Sequence, residues 1–269
     1  CASSSSVGEF GVGAGAGAPR ADRHFMTDGL LLLHAWPIDA RMWERQLAAV
    51  PGDLPVAAPH LPGFGDSEAS GDVMTMRAAA ERALAAMGER GIDRAGVCGL
   101  SMGGYVAFEL WRRARERVAG LVLANTRAVA DPPEAAAARR ALAERLRSEG
   151  NVLAEEPPAL LSDGAPEELR ARVRGWIEDQ SPEAIAAGLL GMAERPDSTP
   201  DLATIRVPTL VLTSTEDRMI APEVSAEMAG RIPQGRLQTI EGVGHLSNLE
   251  APEAFDATLL EHLRVCGLT

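Results

Sequence analysis

The chain has 269 residues, 46% of them apolar and 24% charged, enough for one large core and ordinary for a globular protein rather than a disordered or disulfide-stapled one. Its formal charge is −12 and all 26 basic residues are arginine, so chemistries that need a lysine, such as a Schiff base, a Ser-Lys dyad or a Walker-type phosphate loop, are excluded. An acidic chain without a basic stripe repels a phosphate backbone, and three scattered cysteines without a CxxC pair offer neither a disulfide framework nor a zinc site.

Residues 1–25 lack an apolar period and read as a flexible leader outside the fold; His24 belongs to it. Two origins fit it. Met26 is the natural start with upstream sequence before it, the favoured reading, or Cys1 is the lipid-modified first residue of a processed lipoprotein. No apolar run reaches the roughly 20 residues of a membrane-spanning helix, and a cytoplasmic protein is expected, lipid-anchored through Cys1 under the second origin.

Leu30 to Leu33 is a short buried-strand run ending at His34, followed by a helical pattern over Arg41 to Val50 and a brief strand at Val56 to Ala58. The glycine-rich turn Pro62 to Ser67 leads to an amphipathic helix over Met74 to Arg90. Ala95 to Cys98 then reads as a strand, Gly99 to Gly104 as a tight turn and Tyr105 to Arg115 as a helix. Gly120 to Ala124, Val207 to Thr213 and Arg236 to Ile240 are further strands. This alternation predicts an α/β fold with a mostly parallel sheet covered on both faces. Between 131 and 204 the pattern is helical only, which predicts a core of 26–130 and 205–269 with a helical cap, 131–204, inserted in it.

Gly99-Leu100-Ser101-Met102-Gly103 fits G-x-S-x-G between a strand and a helix, the setting of a nucleophile elbow. A serine hydroxyl is a weak nucleophile and needs a base, which an acid must orient. Of five histidines, His245 lies in a loop just after a predicted strand, at the sheet edge where open α/β folds bind ligands; His262 falls in a helical pattern and is expected to be exposed. Asp217 follows the strand before it and is the expected acid, with Glu216 as the fallback. No metal or cofactor is required.

These motifs, with Leu31 to Pro37, Leu61 to Ser67, Val207 to Leu212 and Gly242 to His245, resemble the α/β-hydrolase superfamily and, within it, small bacterial carboxylesterases, enol-lactonases and perhydrolases. The resemblance covers about residues 30 to 265. It implies an oxyanion hole from the Trp36 and Met102 backbone N–H groups, Pro37 having none, and a pocket lined by Trp36, Met102 and Met192. It further implies hydrolysis of a small ester or related acyl substrate by Ser101, Asp217 and His245 through an acyl-serine. Lactonase, thioesterase, perhydrolase and C–C hydrolase readings stay open, as does a catalytically silent ligand-binding member; oligomeric state is not legible. Three departures stand out: His34-Ala35 where the family has His-Gly, His60 where an acidic residue is common, and no strand pattern for an N-terminal hairpin. A trimmed sheet of about six parallel strands is expected, with His34 bracing its loop.

Overall fold

The computed structural model describes residues 1–2 and 26–269, so the reading of 3–25 as a leader lies outside the described residues. Among the described residues six strands form one all-parallel sheet: β1 (Asp28–Leu33), β2 (Val56–Ala57), β3 (Arg94–Leu100), β4 (Val118–Ala124), β5 (Thr209–Ser214) and β6 (Gly235–Ile240), in the order β2-β1-β3-β4-β5-β6. This is the α/β-hydrolase fold, and the parallel run of all six described strands agrees with the sequence reading; an N-terminal hairpin before β1 would fall outside the described residues. Strands β1, β3, β4 and β5 are buried almost throughout, as their unbroken apolar runs require when both faces are covered. Edge strand β6, with Arg236, Leu237 and Thr239 exposed, keeps only Ile240 fully inside.

Between and after the strands run α1 (Glu44–Ala49), α2 (Met76–Glu89), α3 (Met102–Ala114), α8 (Pro222–Arg231), α9 (Ser247–Glu250) and α10 (Pro252–Val265). Helices α4 (Pro133–Glu149), α5 (Glu167–Glu178), α6 (Pro182–Ala193) and α7 (Thr199–Leu202) lie between β4 and β5. Two glycines of β3 show that both sheet faces are covered. A Cβ on Gly96 would strike Leu263 and Leu268 at the chain's C-terminal end, and one on Gly99 would strike the first turn of α3. Residues an odd number apart on a strand point to opposite faces.

Several boundaries differ from the sequence reading. Helix α3 begins at Met102 rather than Tyr105, because Gly103 and Gly104, which read as turn residues, sit inside the helix. Their glycine character answers to tertiary crowding: a Cβ on Gly103 would lie 2.1 Å from the Leu33 carbonyl oxygen, and one on Gly104 2.4 Å from Thr126 Oγ1. Helix α2 starts later than Met74, at Met76, since Thr75 caps it by accepting from Ala78 N–H (3.1 Å) and Met74 N–H is taken by the Ala187 carbonyl. The Arg41 to Val50 pattern splits into a 3₁₀ turn, Ala40–Trp43, and α1.

His262 corrects an expectation. It is 3% exposed, not a solvent-facing residue, because α10 lays it against the sheet; burial lowers its pKa. No helix of the described residues is long and apolar enough to cross a membrane.

Candidate active site

Parallel strands end at one edge, so the residues following β1, β3, β4, β5 and β6 converge there. Ser101 stands between β3 and α3 at φ 56°, ψ −114°, a region that L-residues rarely adopt. Neighbouring elements hold it in place. Ser101 N–H donates to the Ala124 carbonyl at the end of β4 (2.9 Å), and Thr126 Oγ1 donates to the Ser101 carbonyl (2.7 Å). The close approach of Gly103 to Leu33 brings the end of β1, and with it the His34–Trp36 segment, beside the turn.

Asp217 follows β5 and His245 follows β6. Both side chains are buried, and His245 Nδ1 lies 3.0 and 2.9 Å from the two Asp217 oxygens. The carboxylate can only accept when ionised, so Nδ1 carries the hydrogen and Nε2 is the nitrogen left for proton transfer. Asp217 Oδ1 also accepts from Met219 N–H (2.8 Å) and Ile220 N–H (2.9 Å). Burial pushes its pKa up, but the hydrogen bond and charge of His245, with the Asn125 and Ile220 donors, outweigh it and leave the pKa lowered. Of the predicted trio the structure thus joins Asp217 to His245. Ser101 Oγ makes no hydrogen bond among the described residues. Glu216, the fallback acid, is exposed and donates its backbone N–H to Val243 O.

His34 braces its loop. Nδ1 meets the Ala35 carbonyl at 2.9 Å and Nε2 accepts from Leu61 N–H at 2.9 Å, an arrangement for a neutral ring. Burial lowers its pKa to about 4. Ala35 in place of glycine costs no left-handed backbone, since only Ser101 and Asn125 among described non-glycine residues have positive φ. His60 is structural too, with Nδ1 accepting from Ala40 N–H at 3.3 Å.

The Trp36 indole donates to the Ile185 carbonyl on α6 (3.0 Å), and Gly188 of that helix admits the Trp36 and Phe64 rings. Met102 is fully buried at the start of α3. Met192 is buried on α6 with Arg139 Nη1 3.7 Å from its sulfur.

Sequence reasoning missed the groups around the acid. Asn125, Ser214 and Ser247 are fully buried polar side chains linked by hydrogen bonds to Asp217 and to one another. Glu250 on α9 accepts from Gly244 N–H (2.9 Å) and Ser162 Oγ (2.5 Å), binding the histidine loop to the helical insertion. Asn125 carried one signal, an Asn directly after an apolar strand, a residue type that tolerates positive φ.

The chain matches the alpha/beta hydrolase family over residues 30–258. A pimeloyl-[acyl-carrier protein] methyl ester esterase of Aromatoleum aromaticum is 30% identical over 240 residues, 83% of this chain and 93% of that protein. The 3-oxoadipate enol-lactonase 1 of Acinetobacter baylyi is 26% identical, covering 81% of each. Among solved structures, a thermophilic esterase from Thermogutta terrifontis with malate bound superposes with a TM-score of 0.85 at 40% identity, covering 90% of this chain and 92% of that one.

Proposed function

The chain belongs to the alpha/beta hydrolase family, and within it we propose a carboxylic ester hydrolase that works through an acyl-serine formed on Ser101. The observation that carries this reading is the buried Asp217–His245 pair, whose imidazole keeps Nε2 unclaimed by the acid, at the same sheet edge as the strained Ser101 turn.

Ser101 Oγ adds to the ester carbonyl carbon while His245 Nε2 takes its proton. The tetrahedral oxyanion is received by the backbone N–H groups of Trp36 and Met102, rigid donors that need no reorganisation as charge develops. His245 returns the proton to the departing alkoxide, leaving acyl-serine. Water, deprotonated by the same nitrogen, then attacks the acyl carbon and frees the acid and the serine. Asp217 keeps the imidazole in the tautomer that presents Nε2 and offsets its positive charge during transfer. Hydrogen bonds of this kind commonly run long without substrate and tighten in the complex.

Similarity to an esterase and to a methyl ester esterase favours an uncomplicated ester over other acyl groups. A lactone is the second reading, because enol-lactonases recur among the relatives; its ring-opened acyl-serine needs the same groups. The expected result is covalent labelling by a fluorophosphonate and hydrolysis of short p-nitrophenyl esters. Ser101→Ala should abolish the label and lower kcat at least about a thousandfold. Equal activity or labelling in the two proteins would overturn the proposal, and an ester, lactone and thioester panel then ranks the substrates.

A further inference from the structure

Asn125 directly follows β4 in the left-handed region, at φ 46°, with its side chain fully buried. Each hydrogen of Nδ2 is used: one goes to Asp217 Oδ2 at 2.9 Å, the other to Ser214 Oγ at 2.6 Å. Oδ1 accepts from Ser247 Oγ at 2.7 Å. Ser214 Oγ passes its own hydrogen to the Gly244 carbonyl at 2.5 Å, and Asn125 N–H donates to the Leu212 carbonyl at 2.8 Å. The amide orientation is set by chemistry, because a carboxylate offers no hydrogen and the nitrogen must face it.

One side chain just after β4 therefore ties together the acid after β5, the last residue of β5 and Ser247 beyond His245, and through Ser214 it reaches the Gly244 carbonyl before His245. Asp217 Oδ1 is held by its own loop, through Met219 and Ile220. Oδ2 has Asn125 as its sole donor besides the imidazole, among the described residues. We propose that Asn125 is a positioning residue of the hydrolysis: its amide, framed by Ser214 and Ser247, holds Asp217 ionised and aimed at His245. The proposal rests on the triad reading given above.

Removing the amide leaves a buried carboxylate oxygen short of a donor, which favours its protonation and frees it to rotate away from Nδ1. Both effects reach the proton transfer and leave ester binding alone. The test is steady-state hydrolysis of p-nitrophenyl acetate by the wild type, Asn125→Ala, Asp217→Ala, the double variant and Ser101→Ala. Asn125→Ala is expected to lower kcat about tenfold to a hundredfold, the range for a hydrogen bond to a charged group, with KM within about twofold. In the Asp217→Ala background the same change should alter kcat by less than about threefold, since the group it acts through is gone.

An equal loss in both backgrounds, an unchanged kcat in the single variant, or a change confined to KM overturns the role of Asn125 while the triad stands. Full activity in Ser101→Ala or Asp217→Ala overturns the triad, and this role with it. Should Asn125→Ala unfold, Asn125→Gly keeps the left-handed backbone, deletes the same amide and carries the same expectations.

Discussion

His34 and His245 are chemically identical side chains in different hydrogen-bond settings, and their neighbours make the difference. His34 spends both nitrogens on the backbone, of Ala35 and Leu61, and has none left for chemistry. Its burial also makes folding sensitive to pH. With a pKa of about 4 in the folded chain against an ordinary 6.5, the unfolded chain binds a proton across that interval and the folded chain does not. Stability from this residue is therefore complete above about pH 6.5 and is lost on acidification toward pH 4, by about 3 kcal/mol in all. Urea titrations from pH 7 to 4 should show a flatter decline for His34→Gln than for the wild type. Parallel declines would refute the assignment. His245 was legible in the sequence as the candidate base, from its glycine-rich loop after a late strand, and the structure pairs it, not His34, with Asp217. His262 was misread because helical spacing gives a face but not what covers that face.

At the level of elements, the helical insertion leaves β4 and returns to β5 through two segments that one carboxylate joins. Asp131, with its side chain shielded from solvent, pairs with Arg127, with Arg139 Nε (2.6 Å) and with Arg195 Nη1 (2.9 Å). Arg195 also lies over the Tyr105 ring at 4.1 Å and donates to the Val129 and Met192 carbonyls. Burial opposes ionisation of Asp131, but the arginines prevail and hold its pKa at about 2. Asp131→Ala leaves three guanidinium groups facing one another without a counter-charge. It should cost about 3 kcal/mol, at the low end for breaking a shielded ion pair, and expose 131–199 to proteolysis before the core. A midpoint of chemical denaturation within 0.5 kcal/mol of wild type, by the order-of-magnitude scale for surface changes, would argue that the cluster is dispensable. Near neighbours of opposite sign do exist along the helices, yet the decisive partners, Asp131 and Arg195, are far apart in the chain and meet only across the insertion.

Over the whole molecule, the insertion is bonded to the core at separate places. Trp36 donates to Ile185, Gln180 bridges the buried Asp39 and Gly65, and Glu250 binds Ser162. Leu246 N–H reaches the Leu160 carbonyl beside His245, and Gly244 is glycine because a Cβ there would lie 2.5 Å from Ser162 N. Contacts spread this widely predict cooperative loss of insertion and core together. Thermal unfolding followed by far-UV circular dichroism and by tryptophan fluorescence, with Trp36, Trp43 and Trp111 in the core and Trp176 in the insertion, should give coincident transitions. A separate early fluorescence step that Trp176→Phe removes would show the insertion melting alone.

The sequence by itself determined the order of strands and helices, the parallel sheet, and Ser101, Asp217 and His245 as candidates. Each of these is encoded locally, in apolar runs, turn glycines and short motifs. Tertiary structure alone decided which buried polar groups meet. Ser214 and Ser247 are unremarkable in the chain, and Asn125 signals only a turn after its strand; the three become partners because parallel strands finish at one edge, where a buried acceptor must find a donor whatever its distance along the sequence.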